Sequence, residues 1–331
     1  TGDAGTGKSG IVYFLAQNGI QKGRMPILLD ARLFGSFQSN TELRNFFDFN
    51  GPPYQAIRRL ARKNGCRLII DQLDSVSETS GRNPDFFNCI YEIIKQALEY
   101  PEMRVLLACR KFDLDNDHRL RSLIDKKGIA DSVKIMQLSN KIIRQFIIDN
   151  LNLNIARLNE TQLSLLSIPL NLRLLAEIAQ HKEMDIIDFN TTKDLYDKFW
   201  EVKGKLLNQR LKGPSNWTDA IFNLSNYMSK YQTLIAPGSI LDKFDILLIE
   251  AMASEHILIK DENKYTFFHQ SFFDYVFARN FCAEGNELLP FLKKDKQHLF
   301  RRSQVRQILL HERDVDPKCY IANLKSVLND Q

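Results

Sequence analysis

The feature that most constrains this chain is a glycine-rich loop at its beginning. Residues 2–9 read Gly-Asp-Ala-Gly-Thr-Gly-Lys-Ser and fit the spacing G-x-x-x-x-G-K-S/T. Glycine allows the backbone to curl so that consecutive N–H groups point inward, and such a concave row of donors binds anions. A chance match somewhere in a chain of this length has odds of roughly 1 in 100. The loop therefore predicts a phosphate-binding site.

Within the loop, backbone donors are joined by two functional side chains. Lys8 supplies a positive charge for the β- and γ-phosphates of a nucleotide, and the Ser9 hydroxyl is placed to hold Mg²⁺. A helix is expected to begin here, so that its positive end faces the phosphates, and Asn18-Gly19 is expected to stop it. The residues predicted to bind ATP or ADP are Gly2, Gly5, Thr6, Gly7, Lys8, Ser9 and Gly10.

Only Thr1 precedes the loop, although a loop of this kind needs a buried strand before it. The chain also lacks an initiating Met. We therefore expect the sequence to be a fragment, with the first strand and anything upstream of it cut away.

Composition is that of an ordinary globular protein. The 331 residues exceed the size at which one hydrophobic core usually stops growing, so two or three domains are expected. No stretch approaches about 18 uncharged apolar residues, which predicts that no helix crosses a membrane.

The five cysteines are scattered without a C-x-x-C pair, which is typical of a reduced, cytoplasmic chain without a zinc site. The net charge of +5 is a mild excess, and the basic residues within 293–306 favour a solvated helix face over a nucleic-acid contact.

Strand-like apolar runs alternate with helical segments over residues 1–138. The strands are predicted at residues 25–30, 67–74, 104–110 and 133–138, with helices at 54–63 and 86–99. In the second of these helices, Ile90, Ile93, Ile94 and Leu98 are predicted to share one face. Because each strand is a near-continuous apolar run, the pattern predicts a parallel sheet with helices on both faces.

The pattern changes to helices after Leu138. Helices are predicted at residues 142–151, 160–166, 170–181, 192–211 and 220–230, followed by a hairpin over residues 256–268 and a helix at 271–282. The predicted order is an α/β phosphate-binding core at 1–138, an all-α helical domain at 139–212, a winged-helix domain at 213–285 and the start of a further helical region at 286–331.

Polar side chains follow two of the predicted strands. Asp71 ends one apolar run, where a carboxylate can hold Mg²⁺ through water, so Ser9 and Asp71 are the predicted metal ligands. Asp74 lies just beyond and is expected to orient or activate the attacking water. Arg110 closes the next run and is expected to face the γ-phosphate. Because the carboxyl ends of parallel strands share one edge, Lys8, Asp71, Asp74 and Arg110 form the predicted catalytic set.

Two further segments resemble motifs of a known family. Residues 167–175 read Ser-Ile-Pro-Leu-Asn-Leu-Arg-Leu-Leu and resemble the Pro-Leu-x-Leu motif in the helical domain of NACHT ATPases. Residues 267–278 read Phe-Phe-His-Gln-Ser-Phe-Phe-Asp-Tyr-Val-Phe-Ala and resemble the winged-helix motif of that family. Together with the loop, residues 71–74 and Arg110, the chain from residue 1 to about residue 285 looks like the P-loop NTPase module of the NACHT branch of STAND signalling ATPases.

The resemblance implies a role for one residue in each of these segments. Pro169 would pack on the adenine, and His269 would reach the β-phosphate of bound ADP. The residues alone favour structural roles: Pro169 would begin a helix, and His269 would be a core histidine whose hydrogen bonds are satisfied. The chain also departs from the usual Asp-Gly-x-Asp-Glu pattern, because Gln72 replaces the glycine and Ser75 replaces the glutamate often credited with catalysis. Hydrolysis is therefore expected to be slow.

The resemblance implies a nucleotide-controlled signalling switch in innate immune or antiphage defence. Such a module would self-associate when ATP-bound and would join an upstream effector to a downstream sensor, and both of these are expected to be missing here. Two other functions stay open. One is an AAA+-type ATPase with continuous turnover that acts on nucleic acid, and the other is a non-hydrolysing scaffold that uses the nucleotide only for structure.

Overall fold

The computed structural model describes most of the chain. The described residues are 1–31, 39–46, 48–77, 84–124, 130–151, 153, 158–181, 188–294 and 300–329. The chain divides into two compact units, residues 1–136 and residues 137–331. No helix among the described residues is long and apolar enough to span a membrane.

The first unit is built on a parallel sheet. Its strands are β1 (Met25–Asp30), β2 (Cys66–Asp71) and β3 (Met103–Leu107), paired in the order β1-β2-β3. Asp30 lies opposite Asp71, and Ile70 lies opposite Leu107. The parallel pairing predicted from the apolar runs is confirmed, and the carboxyl ends of the three strands lie at the same edge.

Helices cover both faces of this sheet. They are α1 (Lys8–Gln21), α2 (Asn40–Phe46), α3 (Pro53–Asn64), α4 (Pro84–Leu98), α5 (Lys111–Asn116) and α6 (His118–Ser122). Side chains alternate along β2, so that Leu68 and Ile70 belong to one buried cluster with α4, whereas Ile69 belongs to another with Val12 of α1. Leu98, predicted to share the apolar face of α4, is the last residue of that helix and is exposed.

The helix α1 is longer than the sequence predicts. It continues through Asn18-Gly19 to Gln21, after which Gly23 takes a left-handed conformation with a φ of 69°. The N–H groups of Gly23 and Arg24 then donate to carbonyl oxygens of the last helical turn, as in the Schellman motif. The predicted stop at Asn18-Gly19 is wrong, because Gly19 is buried within the helix and Gly23 is the left-handed residue that ends it.

The predicted last strand at residues 133–138 is not formed. The Thr1 amino group donates to the Val133 carbonyl oxygen at 2.6 Å, and the Ile135 N–H donates to the Thr1 carbonyl oxygen at 2.7 Å. These two bonds have the pattern of a single parallel bridge. The segment therefore lies beside the residue that precedes the loop, but one bridge is too short to make a strand.

The second unit is mainly helical. Its helices are α7 (Asn140–Leu151), α8 (Glu160–Leu166), α9 (Pro169–Ala179), α10 (Thr192–Arg210), α11 (Trp217–Lys230), α12 (Ile246–Ser254), α13 (Gln270–Ala283), α14 (Leu288–Lys293), α15 (Phe300–Val315) and α16 (Pro317–Asn329). The strands β4 (Ala236–Pro237), β5 (Leu258–Asp261) and β6 (Lys264–Phe267) pair antiparallel in the order β4-β6-β5. The predicted hairpin is confirmed.

One hydrophobic core runs through the second unit. Aromatic side chains of α10 and α13 lie at its centre, where the rings of Tyr196 and Tyr275 stack at 5.1 Å and Phe199 meets Phe272 edge-on at 5.3 Å. The same core extends from α7 to α15. The finer domain boundaries and the winged-helix arrangement stay predictions.

We expect Gly23→Ala to destabilise the protein by about 1 kcal/mol, because an L side chain is strained at positive φ. Urea unfolding followed by circular dichroism measures the change. The control is Gly213→Ala, because an added Cβ meets open space at both positions and only Gly23 has a positive φ. Equal losses in the two variants would contradict the assignment of Gly23 as the residue that ends α1.

Candidate functional site

The loop at residues 2–8 has the backbone geometry of an anion-binding nest. Gly5 and Gly7 adopt left-handed conformations with φ of 78° and 87°, and left-handed residues within a turn make consecutive N–H groups converge. A Cβ at Gly2 would meet the Thr6 hydroxyl oxygen at 2.8 Å, so the close approach there requires glycine. The structure therefore explains why glycine is needed at residues 2, 5 and 7 of the loop.

Lys8 begins α1 and is nearly buried in this loop. Its ammonium group donates to the carbonyl oxygens of Gly2 at 2.8 Å and Asp3 at 2.7 Å. Burial lowers the pKa of Lys8 below its ordinary value, and the positive charge of Arg110 adds to this effect, whereas the carboxylate of Asp74 opposes it. An anion that replaced the two carbonyl oxygens would stabilise the charge that burial disfavours. Lys8 is therefore placed to bind an anionic group.

Gln72 links the two predicted metal ligands. It follows β2 in a left-handed conformation with a φ of 57°. Its backbone N–H donates to Asp71 Oδ1 at 2.8 Å, and its side-chain Nε2 donates to Ser9 Oγ at 3.0 Å. This contact was not predicted. The only sign of this contact in the sequence is that Gln72 directly follows Asp71, where the NACHT pattern has glycine.

Asp74 and Arg110, predicted to act separately, form an ion pair. Asp74 lies on a short 3-10 helix (Leu73–Val76) and is 3% exposed. Its Oδ2 lies 3.0 Å from Arg110 Nε. Its Oδ1 is buried and has no hydrogen-bond partner among the described residues. The site therefore contains one carboxylate oxygen that is ready to accept a hydrogen bond.

The residues at this edge fit a magnesium nucleotide. Ser9 Oγ and the carboxylates of Asp71 and Asp74 are hard oxygen ligands, which Mg²⁺ combines with phosphate oxygens and water. Gly10 follows Ser9 on α1 and leaves open space beside it. Within the described ranges, no group of three or more His, Cys, Asp or Glu side chains is arranged to hold a metal ion by itself.

Pro169 and His269 lie in the second unit and have structural roles there. Pro169 is the first residue of α9, where its missing N–H costs no hydrogen bond. His269 is the N-cap of α13, and its Nδ1 accepts a hydrogen bond from the Ser271 N–H at 3.1 Å. An accepting Nδ1 places the proton of a neutral imidazole on Nε2, which is then a donor. The nucleotide contacts of both residues stay predictions.

The first unit combines a parallel sheet covered by helices with a glycine-rich loop that fits the spacing G-x-x-x-x-G-K-S/T. No protein-family model and no curated protein matches the chain. Similar solved structures include a Walker-type ATPase of Pyrococcus abyssi, at 14% identity over 83% of this chain and 89% of that chain with a TM-score of 0.39. They also include the ORC1 protein of Aeropyrum pernix in complex with DNA, at 13% identity over 86% of each chain with a TM-score of 0.36. DnaA of Aquifex aeolicus bound to AMPPCP matches at 17% identity over 99% of this chain and 86% of that chain with a TM-score of 0.37. Similarities at this level say nothing about the function of this chain.

A double-mutant cycle with Asp74→Ala and Arg110→Ala measures the ion pair by urea unfolding. We expect a coupling energy of about 1–2 kcal/mol, because the carboxylate is nearly buried and the bond is charge-assisted. The control cycle uses Lys111 and Asp115, whose paired side chains are 48% and 50% exposed. For that pair we expect about 0.3–0.5 kcal/mol. Equal couplings would contradict a special contribution of the Asp74–Arg110 pair.

Proposed function

We propose that this chain binds ATP or ADP with Mg²⁺ and acts as a nucleotide-controlled signalling switch that hydrolyses ATP slowly. The observation that supports nucleotide binding most directly is the placement of Lys8, a residue that is 8% exposed and whose ammonium group donates to two carbonyl oxygens of a glycine-rich loop. A buried cation at the start of a helix, next to backbone donors, is suited to an anionic phosphate.

Phosphate oxygens would replace the Gly2 and Asp3 carbonyl oxygens as acceptors for Lys8. A charge-assisted hydrogen bond contributes roughly 1.5–3 kcal/mol net. The positive end of α1 and the left-handed Gly5 and Gly7 would add backbone donors to the same phosphates. Part of the binding energy would thus come from backbone donors whose positions are fixed by the loop and by α1.

Slow hydrolysis is proposed because the glutamate often credited with catalysis is replaced by Ser75, and because one oxygen of Asp74, the carboxylate left to act on water, is paired with Arg110. Mg²⁺ would be held by Ser9 and, through water, by Asp71, and it would neutralise charge on the β- and γ-phosphates. Asp74 is paired with Arg110, and Ser75 stands where the NACHT pattern has a glutamate. A γ-phosphate would compete with Asp74 for the guanidinium of Arg110, so this pair would differ between the ADP and ATP states.

The signalling part of the proposal rests on the resemblance to NACHT ATPases. In the ADP state, Pro169 would pack on the adenine and His269 would donate from Nε2 to the β-phosphate. Moving a two-state population from 1:99 to 99:1 needs about 5.5 kcal/mol of differential binding, and two or three charge-assisted bonds made in only one state supply that amount. ATP-bound molecules would self-associate in the cytoplasm and couple an upstream effector to a downstream sensor.

We expect Lys8→Ala to abolish nucleotide binding, because it removes the charge that faces the phosphates. The purified protein is denatured and the released nucleotide is identified by chromatography. Stoichiometric ADP is expected from a monomeric wild type and none from Lys8→Ala. The control is Lys22→Ala, which removes an exposed lysine at the other end of α1 and should retain the nucleotide.

Two further measurements on the same proteins, ATP turnover with and without DNA and the assembly state by light scattering, test the alternative functions. An empty wild-type site with rapid ATP turnover, stimulated by DNA, would overturn the switch in favour of an AAA+-type ATPase. An assembly that is unchanged by Lys8→Ala would favour a non-hydrolysing scaffold. A wild type that neither binds nor hydrolyses nucleotide would contradict the proposal as a whole.

Two variants of His269 separate helix capping from nucleotide binding. Asn is a good N-cap residue, so His269→Asn keeps the start of α13 and removes the imidazole donor, whereas His269→Ala removes both. We expect both variants to lower ADP affinity by about 10-fold and to increase self-association, because each loses one bond to the β-phosphate. Calorimetric ADP titration and light scattering measure these effects. Unchanged ADP affinity in both, with a lower melting temperature only for His269→Ala, would limit His269 to capping.

A further inference from the structure

The Ser9 hydroxyl, predicted to hold Mg²⁺, already accepts a hydrogen bond from another part of the chain. Gln72 Nε2 donates to Ser9 Oγ at 3.0 Å. The backbone N–H of the same glutamine donates to Asp71 Oδ1 at 2.8 Å. One residue thus supplies hydrogen-bond donors to both predicted ligands of the cation.

These donors use oxygen lone pairs that a cation would also use. Mg²⁺ binds its oxygen ligands at about 2.0–2.1 Å in a strict octahedral geometry, so a ligand oxygen must orient its lone pair toward the ion. The Ser9 oxygen has two lone pairs, and the amide of Gln72 holds one of them and fixes the orientation of the hydroxyl. Mg²⁺ would have to turn the hydroxyl so that its second lone pair meets the octahedral geometry of the ion, and the bond from the Gln72 amide opposes this turn.

Gln72 makes this contact from a left-handed backbone conformation, which is unfavourable for a residue with a side chain. Gln72 has φ of 57° and ψ of 33°, a conformation that glycine adopts without steric cost and other residues do not. Its carbonyl oxygen accepts from the Ser75 N–H at 2.8 Å, which fixes the turn that leads from β2 into the 3-10 helix. The side chain is thereby directed from the end of β2 to Ser9 on α1.

We propose that Gln72 acts as an internal substitute for the cation at Ser9 and thereby weakens Mg²⁺ binding at the nucleotide site. This inference rests on the proposed nucleotide binding. Without metal, the amide holds the Ser9 hydroxyl in place. When Mg²⁺ enters with the phosphates, the amide leaves Ser9 Oγ, so the metal complex forms only at a higher Mg²⁺ concentration than it would with glycine at this position.

Binding of a fluorescent ADP analogue, measured in EDTA and over a range of MgCl₂ concentrations, tests the proposal. Gln72→Ala removes the amide but keeps a side chain on the left-handed backbone, and Gln72→Gly removes both. Each is expected to lower the half-saturating Mg²⁺ concentration by about 2- to 10-fold, the range that corresponds to one net hydrogen bond. ADP affinity in EDTA should not change. Gln72→Glu keeps the length and replaces the donor by a carboxylate, and should lower the Mg²⁺ requirement further.

The matched control is Gln232→Gly. Gln232 is also a left-handed glutamine, with a φ of 50°, and it belongs to the second unit. This variant relieves the same backbone constraint and should leave the Mg²⁺ dependence unchanged.

Three outcomes would overturn the proposal. A lower Mg²⁺ requirement for Gln72→Gly but not for Gln72→Ala would assign the effect to the backbone instead of the amide. An unchanged Mg²⁺ dependence in all Gln72 variants would contradict the role of Gln72. The proposed nucleotide binding would still be supported if Lys8→Ala abolished the binding of ADP. A wild type that binds no ADP analogue would remove both.

Discussion

The pairing of β2 with both of its neighbours is the constraint on which the candidate site depends. Residues 68–70 of this strand are fully buried, so their backbone groups have to be hydrogen-bonded within the sheet. The bonding continues past the strand end, where the Leu73 N–H donates to the Ala108 carbonyl oxygen at 3.0 Å. This bond fixes where the chain turns after Asp71 and where it leaves β3 before Arg110. The ladder thus sets the positions of Asp71, Asp74 and Arg110 at the carboxyl edge of the sheet.

A common feature of the site is that its charged and polar side chains are paired with other groups of the protein. Carbonyl oxygens accept from Lys8 and the Asp74 carboxylate pairs with Arg110, at the two groups where the proposed function places phosphate oxygens. In the proposal for Gln72, the amide stands in for the cation at Ser9. Buried charges are costly unless they are compensated, so these internal partners stabilise the charged groups of the site. A nucleotide would exchange one set of compensating contacts for another.

Most elements were predictable because they follow from local patterns, and the errors have tertiary causes. β1 was predicted with its observed bounds, since an apolar run after a turn glycine suffices to define it. Asn18-Gly19 has the composition of a helix stop, yet α1 continues because it packs on the sheet and ends at Gly23 instead. Residues 133–138 have the composition of a strand, but a strand also needs a partner along its length, and composition does not supply one.

The sequence by itself determined the glycine-rich loop, the parallel α/β order of the first unit and the hairpin of the second. These features depend on short-range physics, namely the φ freedom of glycine and the period of apolar residues. Only the tertiary structure decided that Asp74 pairs with Arg110 and that Gln72 holds Ser9. These partners are far apart in the chain and meet because the strand register and the packing of α1 on the sheet bring their elements to one edge. A sequence pattern identifies the candidate side chains, but the register of the strands determines which of them are in contact.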